Sequence, residues 1–328
     1  MLSRVANNLY WLSRYLERAE NLARLVNVNQ LNSIEAGASG HDGDIWDAVL
    51  YATGTEEAYA KARSKAGDEL SVGSYMTFSA SNSDSIRQCI AQARENARMV
   101  RDQIPEEIWL ELNSIHLFMR SKASENLWQR QTDELYRRVI RFCLIYGGLL
   151  ESTTLHDEGW DFIQIGRYLE RADKTSRILD MLSFYDTPDR NKLASALRSC
   201  SGSAAFRAEF RGDISIDNVA SFLLFSPSFP RSVRFCLRQL DGVLHAISGM
   251  PNGSFSNEAE RITGNLLAQM NFSNAQSIWD TGLHVYIDEL QQKMNDIGQQ
   301  VFETYVLLPS EINDIAYTGA WQAQQQQQ

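Results

Sequence analysis

The polar chemistry of this chain is concentrated in two glutamates and the arginines around them. Arg14, Tyr15, Leu16, Glu17, Arg18 and Ala19 return in the same order as Arg167 to Ala172. A carboxylate flanked by guanidiniums has two chemical uses. Arginine grips a carboxylate or phosphate through paired N–H donors, and a glutamate whose pKa is adjusted by burial and neighbouring charge serves as a general acid or base. The candidates for proton transfer are Glu17 and Glu170; those for holding a substrate anion are Arg14, Arg18, Arg24, Arg167, Arg171 and Arg177. Arg14 and Arg18, like Arg167 and Arg171, are like charges four residues apart, an arrangement that costs a few tenths of a kcal/mol on an exposed helix. They need an anion nearby. It is Glu17 at i+3, the glutamate of the other copy, or a ligand; the first two make a structural seam and only the third makes a site.

A second arginine-rich cluster runs from Arg94 to Arg101. Arg94, Arg98 and Arg101 share one helix face, and Arg94 and Arg98 join the anion-binding candidates if that face meets Arg14 and Glu17 in one electropositive cleft. Other chemistries find less support. Gly147-Gly148 lies inside an apolar helical run, so no phosphate-cradling loop is expected. Glu-x-x-His is absent; Asp241–His245 and Asp280–His284 are i, i+4 pairs read as surface hydrogen bonds, so no metal and no cofactor is expected. Cys89, Cys143, Cys200 and Cys236 have neither zinc spacing nor a nucleophile motif and are read as reduced thiols, with Cys89, Cys236 and Trp109 assigned to the core.

The elements that position these residues are helices. From Ser3 to Ile34, Leu9, Leu12, Leu16, Ala19, Ala23 and Val26 recur at spacings of three and four. A loop at 37–43 leads to short helices at 45–51 and 56–65; Ser83 or Asp84 then caps a helix running to Ile104, and further helices cover 106–119 and 125–154. Beyond Asp157 the periodicity predicts helices at 160–184, 192–200, 216–225, 231–247, 258–270 and 275–306. No segment alternates as a strand would. The expected fold is an all-α multi-helix bundle.

Self-similarity extends past the six residues. At an offset of 153, Arg24 falls on Arg177 and Leu25 on Ile178. At 147, Phe78, Ser79, Ser81, Ser85, Ile86, Arg87 and Cys89 fall on Phe225, Ser226, Ser228, Ser232, Val233, Arg234 and Cys236. Such ordered matches are what a tandem duplication leaves, giving repeats at 1–154 and 155–320 that bury their apolar faces against each other, and a disordered glutamine-rich tail at 321–328.

A net charge of −10 over 328 residues argues against sequence-independent nucleic-acid binding or adhesion to an anionic membrane. The most apolar stretch, Val139 to Leu150, is too short to span a bilayer and contains Arg141. Arg4, Asn7 and Asn8 interrupt any signal-peptide core. The expected location is the cytoplasm.

The paired Arg-Tyr-Leu-Glu-Arg-Ala segments, the run Ala93-Arg-Glu-Asn-Ala-Arg98, the segment Glu107 to Asn113 with Trp109 inside it, and Phe229-Pro-Arg-Ser232 together resemble the bacterial alpha-E domain proteins, an all-helical family named for a Glu-Arg motif. The resemblance covers nearly the whole chain apart from the tail and places the motif at Glu17-Arg18 and Glu170-Arg171. It implies a role beside circularly permuted ATP-grasp ligases and transglutaminase-like proteins, in peptide-bond or amide-ligation chemistry, as a partner or as a separate enzyme.

Overall fold

The computed structural model describes residues 1–37, 42–66 and 70–307; residues 38–41 of the expected loop, 308–320 of the second repeat and the 321–328 tail lie outside them. The described residues form helices and turns, with no strand. The first eight helices are α1 (Ser3–Gly37), α2 (Asp42–Thr53), α3 (Glu56–Ala66), α4 (Val72–Phe78), α5 (Ile86–Met99), α6 (Glu106–Arg120), α7 (Lys122–Arg130) and α8 (Thr132–Thr153). Eight more follow: α9 (Glu158–Asp180), α10 (Arg190–Ser199), α11 (Ser203–Phe210), α12 (Ile216–Phe225), α13 (Val233–Ser248), α14 (Glu258–Phe272), α15 (Ala275–Thr281) and α16 (Leu283–Tyr305). Among the described residues no helix is long and apolar enough to cross a membrane.

Two long helices, α1 and α9, make the most extensive contact in the molecule and form its axis. Around α1 pack α5 and α8, and around α9 pack α13 and α16. Because α1 and α9 are enclosed on most sides, their polar residues are buried along with Leu12, Leu16, Leu169 and Leu179. A helix at the molecular axis has no solvent face on which to place its charges, so each charge must find a partner inside.

Local chemistry explains where the elements begin and end. Ser85, not Ser83 or Asp84, caps α5: its Oγ accepts the Gln88 N–H, and the same hydroxyl donates to the Ser79 carbonyl. Ser232 does both at α13, accepting from Phe235 N–H and donating to the Ser226 carbonyl. Asp84, relieved of capping, is left to pair elsewhere. The single helix expected at 275–306 is cut at Gly282, whose φ of 89° ends α15. The one expected at 125–154 breaks at Gln131, where the backbone leaves the helical region. The helix expected to reach Ile104 stops at Met99 and continues as a 3-10 turn over Arg101–Gln103.

The closeness of the two axial helices depends on Gly166. A Cβ there would lie 2.4 Å from the Tyr10 carbonyl oxygen and 3.3 Å from the Arg14 side chain. The obstacle is backbone, so no rotamer change relieves it. Gly166→Ala should therefore push α9 off α1 and lower stability by about 1 to 3 kcal/mol; denaturant unfolding measures the loss, and a variant as stable as the parent would show that the approach is not tight.

Candidate functional site

Where α1 crosses α9, each helix supplies the counterion of the other. The Glu17 carboxylate accepts two hydrogen bonds from Arg171, Nε at 2.9 Å and Nη2 at 2.8 Å. The Glu170 carboxylate accepts two from Arg18, Nε at 2.7 Å and Nη2 at 3.2 Å. The pairing is reciprocal: the glutamate of each six-residue segment is held by the arginine that follows the glutamate in the other. Glu170 is fully buried and Glu17 is 5 % exposed. Of the three anions the sequence leaves open for Arg18 and Arg171, the structure selects the glutamate of the other segment.

Further partners surround this exchange. Arg14 donates from Nε to Glu170 at 2.6 Å and from Nη1 to the Tyr10 hydroxyl at 2.7 Å. Arg18 also donates from Nη1 to Asp84 at 2.5 Å. Arg231 donates from Nη1 to Glu17 at 3.1 Å and to Asn21 at 2.9 Å, and from Nη2 to Glu20. Lys174 lies 3.4 Å from Glu170 and 2.9 Å from Asp173. Arg24 and Arg177 pair within their own helices, with Glu20 and Asp173.

Burial alone would raise both central carboxyls, but the guanidiniums outweigh it. Arg171 and Arg231 hold Glu17 far below the usual carboxylate range, and Arg18 and Arg14 do the same for Glu170. A carboxylate held that low carries no proton to donate near neutral pH and accepts one poorly. The arrangement favours fixing charge over moving protons.

The arginines flagged by the sequence fall into three groups. Arg14, Arg18 and Arg171 are committed to the central carboxylates, and Arg24 and Arg177 to i, i+4 pairs at its edges. Arg94 and Arg98 stand apart, which corrects the expectation of one shared cleft: both pair with Glu95, and Arg94 donates to Asn113 and lies over Trp109 with its guanidinium 5.2 Å from the ring centroid. The α5 face that bears them looks toward α6. Arg167 is different again. It is partly buried, and among the described residues it has no hydrogen bond or ion pair. Its Nη2 would be 2.9 Å from a Cβ on Gly147, so the glycine in α8 leaves it room, and it acts electrostatically on the buried Tyr146 hydroxyl, which has no hydrogen-bond partner.

Arg231, Asp84 and Glu20 complete the network without having been singled out as site residues. The signal was available for two of them. At the offset of 147, Asp84 falls on Arg231, and the two residues make opposite use of like positions: Asp84 meets the arginine of the first segment and Arg231 meets its glutamate. Arg231 thus fills at Glu17 the place that Arg14 fills at Glu170, which leaves Arg167, the match of Arg14, without a carboxylate.

A pocket opens beside the exchange, enclosing about 510 Å³ between its walls and mouth. Arg18, Asp84, Lys174 and Arg177 line its charged side, and Leu22, Leu25 and Met76 its apolar side. The remaining candidate chemistry is absent or inert. The four cysteines are unpaired and buried, and burial pushes the Cys200 and Cys236 thiols up to about 12, far from a reactive thiolate. His245 uses both ring nitrogens on backbone carbonyls, of Asp241 at 2.8 Å and Ser254 at 3.0 Å.

Residues 1–306 match the Alpha-E family, described as a predicted alpha-helical domain with a conserved ER motif. The chain is similar to an uncharacterised protein of Mycobacterium bovis, 24% identical over 333 residues that cover 93% of this chain and 37% of that protein. Uncharacterised proteins from two strains of Mycobacterium tuberculosis are similar to it at the same identity and coverage. The chain therefore spans 37% of the length of the curated relatives it matches. No solved structure matches it.

Two outcomes follow from the buried exchange. Glu17→Gln leaves Arg171 buried without its carboxylate and takes from Arg231 one of its two, and should cost roughly 3 to 5 kcal/mol of stability, as should Glu170→Gln; melting near the parent temperature would contradict the role given to these residues. Because both carboxyls are depressed in the folded protein, their contribution is complete above the unfolded glutamate pKa of about 4.3 and is lost as pH falls toward the lower folded values. Unfolding free energy measured from pH 5 downward should fall steeply, and less steeply in the Glu17→Gln variant.

Proposed function

The chain belongs to the Alpha-E family, and from that premise we propose that it is the helical partner or accessory protein of an ATP-grasp-type peptide or amide ligase system. It binds an acidic group, or an acidic surface of the partner, where the two axial helices cross. The observation that carries this reading is the charge balance of the crossing. Arg14, Arg18, Arg24, Arg167, Arg171, Lys174, Arg177 and Arg231 face only Glu17, Glu20, Asp84, Glu170 and Asp173, eight cations against five carboxylates, inside a chain whose net charge is −10. Arg167 is the cation of this set without a partner among the described residues.

The proposal gives Glu17 and Glu170 the task of holding arginines in place and gives Arg167 the task of meeting the ligand. A planar guanidinium beside a hydroxyl suits a carboxylate better than a dianionic phosphate, since Glu17, which Arg167 acts on electrostatically, would repel a second negative charge. The partners are a circularly permuted ATP-grasp protein and a transglutaminase-like protein. In the mycobacterial relatives the matched region is a minor part of a longer chain, which fits a unit that works beside other polypeptide. The same reading takes the like succession of α1–α8 and α9–α16 as a tandem duplication, and places the protein in the cytoplasm, where four unpaired cysteines are at home.

Co-purification of the tagged protein from a bacterial host tests the reading. The parent and Arg98→Ala should recover a ligase-type protein, and Arg167→Ala should lose it while keeping its melting temperature, since Arg167 supports no internal pair. Recovery undiminished by Arg167→Ala, or no ligase-type protein with the parent, would sink it.

A further inference from the structure

At the other end of α9 from Gly166 the charge has the opposite sign. Asp180, the last residue of α9, meets His284 and Asp288 of α16 and Tyr51 of α2. His284 Nδ1 is 3.0 Å from Asp180 Oδ1, 3.2 Å from Oδ2 and 2.9 Å from the Tyr51 hydroxyl, and its Nε2 is 3.6 Å from Asp288 Oδ2. One ligand atom each from Asp180, His284 and Asp288 lie within 4.8 Å of one another, the one group of three such side chains so placed among the described residues. Ligands bonded to an ion at about 2.0 to 2.2 Å stand roughly 3 to 4 Å apart, so inward movement of the two exposed side chains, with one ring nitrogen of His284 turned to the ion, brings three ligands onto it.

We propose that Asp180, His284 and Asp288 bind a divalent first-row transition-metal ion, with Tyr51 steadying the inner carboxylate and solvent filling the remaining positions.

A second observation, independent of the spacing, points the same way. The Asp180 side chain is 10 % exposed yet has no lysine or arginine within 4 Å among the described residues. Every other buried carboxylate on the axial helices, Glu17, Glu20, Glu170 and Asp173, has at least one. Asp180 has only His284, a cation only when protonated. The partial negative charge at the C-terminus of α9 adds to the demand for a cation. The Tyr51 hydroxyl lies between His284 and Asp180, 2.9 Å from His284 Nδ1 and hydrogen-bonded to Asp180, the arrangement that orients a ligating group.

The donor set selects the ion. One imidazole nitrogen with two carboxylates suits Zn²⁺, Mn²⁺ or Fe²⁺, whereas Mg²⁺ and Ca²⁺ prefer oxygen alone. The His284 and Asp288 side chains are 48% and 62% exposed, so the outer side of the ion stays open to water or to a ligand atom. Asp280, four residues before His284 and its expected partner from the sequence, is bonded by Gln276 instead and takes no part.

Titration of the EDTA-treated, dialysed full chain with ZnCl₂, MnCl₂ and MgCl₂ by calorimetry tests the site, with thermal melting alongside. Saturable 1:1 binding of Zn²⁺ and a raised melting temperature are expected, with Mn²⁺ weaker and Mg²⁺ without measurable heat. His284→Ala and Asp288→Asn, at exposed positions that leave the fold intact, should each weaken Zn²⁺ binding at least about tenfold. Asp280→Asn and Arg167→Ala should leave it unchanged, the latter separating this site from the acidic-ligand reading. No saturable Zn²⁺ binding, binding indifferent to His284→Ala, or Mg²⁺ as tight as Zn²⁺ would each overturn the proposal.

Discussion

The exchange of Glu17 with Arg171 and of Glu170 with Arg18 is the constraint on which the architecture rests. Carboxylates and guanidiniums lose their hydration when helices close over them, and the attraction between them offsets that loss only when the geometry is good. Here it is bidentate on both sides. The exchange need not be a large net source of stability, because well-packed apolar residues stabilise equally well; what it does is penalise every other register. Sliding α1 along α9 by one turn would bury four unpaired charges. Gly166 works with it by letting the backbones come close enough for both pairs to form at once.

Around this reciprocal centre the surroundings of the two six-residue segments differ. Matched positions carry Asp84 and Arg231, and Asn21 and Lys174, differences of charge, while Arg14 and Arg167 are alike in type and differ in what they meet. With a guanidinium at 231 where the matched position 84 carries a carboxylate, the crossing holds eight cations against five carboxylates. Arg231 occupies the place at Glu17 that its own half's arginine would take, and Arg167 is displaced toward α8. Arg167 is left as a cation with no hydrogen bond or ion pair among the described residues, acting on Glu17 through its charge alone.

The far end of α9 shows the complementary imbalance. Asp180 is buried with too little positive charge, while the crossing is buried with too much, and the two lie on one helix that belongs to both. Buried charge without an internal partner is costly. It is tolerated where something from outside completes it, which is why the acidic-ligand reading attaches to Arg167 and the metal reading to Asp180.

Much of this was legible in the amino-acid sequence. The three- and four-residue spacing of Leu9, Leu12, Leu16, Ala19, Ala23 and Val26 determined α1 as an amphipathic helix, and the recurrence of Arg-Tyr-Leu-Glu-Arg-Ala marked the two segments that meet. Periodicity is a local property, so it reads locally. It did not see the breaks at Gln131 and Gly282, where a single backbone conformation interrupts an unbroken pattern, nor that Ser85 rather than its neighbours caps α5. Which anion each arginine meets was decided by the tertiary structure. Arg14, Arg18 and Arg171 look identical to Arg167 along the chain, and only the crossing of α1 with α9 and the arrival of Arg231 from a remote loop separate the three that are used from the one that is not. In the same way His284 stands four residues from Asp280 in sequence but was brought to Asp180, 104 residues away, by the packing of α16 on α9. Spacing determines which face of a helix a side chain occupies; which charge waits on the facing helix depends on how the helices cross.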